Sequence, residues 1–180
     1  MNNKKLYSHL DYKIEKAIIF LVNEFSRSGC NPKPVIFHSI RVGMKLYKES
    51  EKPEVVMAGF LHDLLEDTKV TEEKIEENFG KKVLALVKAN SEDRKIKNEK
   101  ERNEETLCRC ANFGREAMMI KAADILDNSD FYCLAGNKKR RVLLEKLAFA
   151  IDQFRPQLRG KPIFKELEEK YQKLKRRLLN

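Results

Sequence analysis

The 180-residue sequence predicts an all-α fold, and three observations carry that reading. Trp is absent, and only seven Gly and five Pro interrupt the chain. Lys, Glu, Leu and Ile dominate the composition, as in helix-rich proteins. Apolar residues also recur at a spacing of three and four in one segment after another, which is the period of an amphipathic helix. The length suits one compact domain with a sizeable core. We therefore expect a single domain over residues 1–180, with its core over about 9–155 and a basic C-terminal helix over about 161–178.

The first helix is expected over residues 9–27, where Leu10, Ile14, Ala17, Ile18, Leu21, Val22 and Phe25 share one face. "SGCNPKP" ends it, because Gly29, Pro32 and Pro34 do not continue a helical turn. A second helix follows from Val35 to Lys48, with Ile36, Ile40, Gly43 and Tyr47 on one side. Pro53 fits the first turn of a third, which the pattern carries on to Asp67. That helix is apolar nearly all round and should lie at the centre. Thr71 before Glu72 and Glu73 reads as an N-cap with acids in the positive first turn. The short helix it opens ends at Gly80, and "KKVLALVKA" begins the next. The polar run 91–105 fits either an exposed helix or a loop. Apolar periodicity returns in "EAMMIKAADILDN" and "VLLEKLAFAIDQF", before Pro156, Gly160 and Pro162 set off the last helix.

Charge and composition narrow the function classes. No apolar stretch approaches the roughly 20 residues of a membrane span, and "MNNKKLYSHLDYK" has no signal-peptide core, so a cytoplasmic protein is expected. Net charge is +9, and residues 155–180 hold nine Lys/Arg against three Glu. Such a face is either solvated or an attractive field for a polyanion. The terminal basic helix carries only Phe164 and Tyr171 as aromatics and no Gly-rich loop, so nucleic acid is not the expected partner. Cys30, Cys108, Cys110 and Cys133 lack a zinc-ligand spacing and are read as reduced thiols. No pattern in the sequence speaks to oligomeric state.

The stretch "FLHDLLEDT" (60–68) poses a problem of burial. It places His62, Asp63, Glu66 and Asp67 at the end of an apolar run, and desolvating unpaired carboxylates costs several kcal/mol each. His38 opens the apolar side of another helix, and Asp124 stands between Ala123 and Ile125. Singly, each fits a satisfied core residue. Together, two imidazoles and two carboxylates form a mixed nitrogen and oxygen set suited to Mn²⁺, Fe²⁺ or Zn²⁺. A divalent ion would neutralise Asp63 and Asp124 and activate water for attack on a phosphoryl group. Glu66 and Asp67 stand four residues after His62 and Asp63, on the same side one turn on. They suit proton handling, although a helix cap and a surface pair would explain them as well.

A His-Asp pair with a separate upstream His and downstream Asp is the signature of the HD phosphohydrolase superfamily. "AGFLHDLLEDTKVTEEKIEENFGKKVLALV" resembles more closely the H-D-x-x-E-D-T and F-G-x-x-V-x-x-L-V run of RelA/SpoT-type alarmone hydrolases. "IKAADILDN" is similar to that family's K-L-A-D segment with its following Asn, and "RSGCNPKPVIFH" keeps the loop Arg, the Pro and the metal His in order. The likeness covers roughly residues 9–155. It implies a helical HD-domain bundle with a metal site between central helices. His38, His62, Asp63 and Asp124 would be Mn²⁺ ligands, and Glu66 and Asp67 the catalytic acidic pair. Arg27 would pack on the nucleotide base, Asn128 would face its sugar and phosphates, Arg141 would contact phosphate, and Lys121 would support the site. The implied reaction removes the 3′-pyrophosphate of ppGpp or pppGpp.

The chain departs from that family at Ser28, Val35, Ser39, Ile125, Asp127 and Glu145, all in the base and phosphate pockets. Asp127 facing the site would repel phosphate. A related 3′-phosphorylated nucleotide is therefore an alternative substrate for the same chemistry. An HD nucleotidase or phosphodiesterase acting on another nucleotide, and a non-catalytic nucleotide- or RNA-binding module, are the competing readings.

Overall fold

Among the residues that the computed structural model describes, 8–28 and 34–179, every regular element is helical. The order is α1 (His9–Ser28), α2 (Val35–Lys48), α3 (Pro53–Leu61), α4 (Leu64–Asp67), α5 (Glu72–Phe79), α6 (Lys81–Asn90), α7 (Glu99–Phe113), α8 (Arg115–Ser129), α9 (Asn137–Leu158) and α10 (Pro162–Leu179). A 3₁₀ turn, Tyr132–Leu134, joins α8 to α9. Gly29, Cys30 and Pro32 of the expected break lie outside the described residues. Among the described residues, no helix is long and apolar enough to cross a membrane.

The expected central helix is central. Every residue of α3 from Val55 to Leu61 is buried, and the helix packs against α1, α2, α6 and α8. α8 shares this position, with Ala117 to Leu126 buried and α2, α3, α6, α7, α9 and α10 around it. Close approach of α2 and α3 depends on two glycines. A Cβ on Gly43 would stand 2.5 Å from the Phe60 ring, and one on Gly59 would stand 2.3 Å from the Leu46 side chain. These contacts bring the helix of His38 directly against the helix that ends at His62.

Local signals account for most boundaries. Pro53 occupies the first turn of α3, and the Thr71 hydroxyl accepts from the Lys74 amide at the start of α5. Gly80 (φ +85°) separates α5 from α6, and Gly114 (φ +114°) separates α7 from α8, both in conformations that favour glycine.

The structure differs from the sequence expectation in four places. The third helix does not run unbroken to Asp67. It ends at Leu61, and His62 and Asp63 form a turn before the short α4. The polar run 91–105 is loop in its first half and helix in its second, divided by Asn98, whose side chain accepts from the Lys100 and Glu101 amides. Pro156 does not end α9, which runs on to Leu158. One Pro in the last turn removes a single N–H without unwinding the turns before it. Finally, Ile163, Phe164, Leu167 and Leu174 of α10 are buried against α8 and α9, so the apolar core continues past residue 155.

Candidate metal centre

Four donor atoms from three parts of the fold converge on one point. His38 comes from α2, His62 and Asp63 from the turn after α3, and Asp124 from the middle of α8. The Nε2 atoms of His38 and His62 are 3.3 Å apart. Asp124 Oδ1 lies 3.3 Å from the first and 3.7 Å from the second. Asp63 lies 3.1 Å from His62 Nε2 through Oδ1 and 3.7 Å from His38 Nε2 through Oδ2. Ligands about 2.0–2.2 Å from one transition ion stand roughly 3.0–3.5 Å apart in octahedral or tetrahedral arrangements. The spacing of His38, His62 and Asp124 therefore fits a single ion, with Asp63 beside both imidazoles.

Both imidazoles are turned so that Nε2 faces that point. His62 Nδ1 donates to the Gly59 carbonyl at 2.9 Å, and His38 Nδ1 donates to Asp127 Oδ2 at 2.6 Å. A proton fixed on Nδ1 leaves Nε2 with its lone pair free to ligate. Arg41 clamps Asp127 in turn, with Nη2 at 2.7 Å from Oδ2 and Nε on Oδ1. The guanidinium is stacked 4.5 Å over the Phe37 ring. Asp127 would repel phosphate if it faced the site. It is instead neutralised by Arg41 and spent on His38.

A family model described as HD domain matches residues 22–148. The chain belongs to the HD domain family. Within it, the chain is 32% identical over 116 residues to a guanosine-3′,5′-bis(diphosphate) 3′-pyrophosphohydrolase of Aquifex aeolicus, covering 63% of this chain and 17% of that protein. It is 35% identical over 97 residues to the protein of that name, MESH1, of Drosophila melanogaster, covering 53% of this chain and 54% of that one. The chain thus spans about a sixth to a half of these relatives. The fold matches a solved structure described as a metazoan ortholog of SpoT that hydrolyzes ppGpp, with a TM-score of 0.73, 24% identity, and 96% and 97% of the two chains covered. A structure from Listeria monocytogenes matches with a TM-score of 0.69 at 24% identity, covering 80% of this chain and 99% of that one.

In this HD domain the electrostatics favour a positive guest. Burial pulls the His38 imidazolium down, but hydrogen bonds from Asp124 and Asp127 and the nearby Asp63 push its pKa up to about 9. His62 is likewise raised, with the charge of Asp63 and the bond to Asp124 outweighing complete burial. Burial pushes the Asp124 carboxyl up, yet Lys121 and both histidines hold it well below the usual carboxylate range. The two carboxylates draw cationic charge onto the imidazoles, and a divalent cation satisfies the same field without protons.

Around the four donors the HD domain arranges further groups. Lys121 is buried, with its ammonium 3.1 Å from Asp124 Oδ2. Asn128, one turn after Asp124, donates its amide to Oδ1 of that residue. Glu66 accepts from the Glu92 backbone amide at 2.9 Å. Burial raises its pKa, against the pull of Lys121 and with the push of Asp63. Asp67 points outward to Arg94, 3.0 Å away. The turn at His62 and Asp63 thus sends the two acids to different surroundings.

A cavity of about 330 Å³ opens beside Asp124, lined by Ile125, Asn128, Phe131 and Tyr132 on one side and by Glu92, Glu99, Arg102, Asn103, Lys139, Leu143 and Lys146 on the others. That volume falls within the range of small-ligand clefts. Arg141 does not line it; it borders a separate groove with Tyr171 and Lys175 against α10. Arg27 lies in the last turn of α1, largely exposed, 2.8 Å from Glu24. Among the cavity residues, Lys146, Arg102 and Glu92 escaped the sequence reading, while Lys139 belongs to the basic run Lys138–Arg141 that fits a field for a polyanion. Arg41 escaped it too, as did the bond from His38 to Asp127, although each residue stands three from a donor, His38 and Asp124, on the same helix face.

Proposed function

We propose that this HD domain is a metal-dependent (pyro)phosphohydrolase that removes the 3′-pyrophosphate of a guanosine alarmone, ppGpp or pppGpp. The observation that carries the reading is the convergence of His38, His62, Asp63 and Asp124 beside a polar cavity of nucleotide-fragment size. The printed activity of the Aquifex and Drosophila relatives supports the substrate class. Within this reading the four donors hold Mn²⁺, which when bound supplies Lewis acidity toward the phosphoryl group and its water.

The chain's own residues do the rest. Glu66, whose carboxyl is raised by burial and by the charge of Asp63, accepts the proton of the attacking water in this reading. Asp67 is the second acid of the pair. Lys121 holds Asp124 in its ligating pose and balances its charge. Asn128 orients the same carboxylate and faces the cavity with its remaining polar atoms. Cleavage of the bond between the 3′ oxygen and phosphorus adds water across it, leaving a 3′-hydroxyl and free pyrophosphate.

A related 3′-phosphorylated nucleotide is the second reading, because Glu92 and Glu99 line the cavity while Arg27 and Arg141 do not. Incubation with Mn²⁺ and a panel of 3′-pyrophosphorylated, 3′-phosphorylated and 5′-phosphorylated nucleotides, with products resolved by anion exchange, separates the readings. Guanosine diphosphate and pyrophosphate from ppGpp are expected. Orthophosphate from 3′-monophosphates with ppGpp intact would replace the first reading by the second, and no product from any nucleotide would discard both.

A further inference from the structure

The face that α9 turns to the cavity differs from the one the family likeness implies. Lys139, Leu143 and Lys146 are spaced four and three residues apart, form one stripe, and line the cavity that Asp124 borders. Arg141 and Glu145 belong to the opposite stripe, in the groove against α10. Rotation of a helix is not adjustable residue by residue. Leu144, Leu147 and Ile151 are buried between these stripes, so Arg141 does not reach the cavity unless that packing is undone.

We propose that Lys139 and Lys146 form the anion-binding wall of the site and take phosphate oxygens of the nucleotide, in place of Arg141. This assignment deepens the proposed hydrolase function and rests on it. Lys146 is a half-buried cation, its side chain 18% exposed, with Glu92 Oε1 at 3.8 Å. Glu92 is already engaged by Arg102, Nε to Oε2 at 2.8 Å. One carboxylate thus serves two cations, and neither cation has it to itself. Lys139 pairs with Glu99 at the rim. An ammonium has three N–H donors, and a single carboxylate does not use them all. Both lysines therefore keep donors for a ligand while their partners hold the ammonium groups at the wall. Burial and the nearby Lys121 charge lower the Lys146 pKa, so an arriving anion restores stabilisation of the ammonium that burial withholds.

The test uses the full-length protein and three variants: Lys139→Met, Lys146→Met and Arg141→Ala, with circular dichroism melts to establish folding. Two readouts are compared, KM and kcat on ppGpp, and the affinity of inorganic pyrophosphate by titration calorimetry on metal-stripped protein. A charge-assisted hydrogen bond corresponds to about a tenfold or larger change. Each Lys→Met variant is expected to raise KM about tenfold with kcat changed less, and to weaken pyrophosphate similarly, while Arg141→Ala changes either by less than about threefold. If Lys146→Met fails to fold, Lys139→Met and Lys146→Arg carry the test, the arginine retaining pyrophosphate affinity. Pyrophosphate affinity that is absent, or equal with and without the lysines, overturns the inference, as does a larger effect at Arg141. Failure of ppGpp turnover while the titration still separates the variants overturns only the proposed function.

Discussion

Asp127 receives Nδ1–H of His38 with one oxygen and is gripped by Arg41 through both. Burial opposes its charge, but the Arg41 and His38 bonds hold its pKa at about 2, below the ordinary 3.8. A depressed carboxylate contributes stability that is fully present above its unfolded pKa and is lost as pH falls through the folded value. Asp127→Ala should therefore remove part of the acid limb between about pH 4 and 2, read by thermal melts of metal-free protein. The same variant frees the His38 ring. Loss of such a partner lowers metal affinity by about 10- to 100-fold, and Mn²⁺ titration should show it. Unchanged affinity would mean that packing alone orients the ring. The sequence could not assign this role, because the charge of Asp127 is visible in it and the direction of its side chain is not.

At the scale of elements, the decisive contact is α2 on α3. Gly43→Ala would drive a methyl into the fully buried Phe60 ring. Overpacking of this kind costs about 1–3 kcal/mol. For a chain of this size that is roughly 2–4 °C in Tm per kcal/mol. The variant should also bind metal more weakly than its melting loss implies, since the shift moves His38 away from His62. A melt lowered with metal affinity untouched would separate the helix contact from the site. Periodicity made α1, α2, α3 and α8 legible, and the donors stood out as charges in apolar runs. α7 was obscured because Glu99–Glu105 carry no apolar side chain, and its buried residues are Asn103, Thr106, Leu107 and Cys110. The turn at His62 and Asp63 was invisible for another reason. Both residues keep near-helical angles (φ −60°, ψ −32° and φ −88°, ψ −6°), and the break is a matter of hydrogen bonding rather than of residue type.

For the whole molecule, the excess of positive charge reads differently once α10 is seen in place. Lys45 pairs with Glu166, Arg155 with Glu168 and Lys170 with Asp130, so charges on or around this helix fasten it to α2, α9 and the end of α8. Its buried Ile163, Phe164 and Leu167 are each worth about 1.5–3 kcal/mol of apolar transfer. Deleting residues 162–180 should therefore lower the melting temperature by more than 10 °C or leave the protein insoluble, by a loss several times the 2–4 °C per kcal/mol scale. A truncated chain that melts like the full one would make the helix an appendage. All four donors and the lysine wall are synthesised before α10. A nascent chain stopped after residue 155 would hold every ligand atom, yet the helices that carry Asp124 and Lys146 would lack their outer cover. Completion of the site thus waits on a segment made after every ligand residue, a timing that the order of residues along the chain imposes by itself.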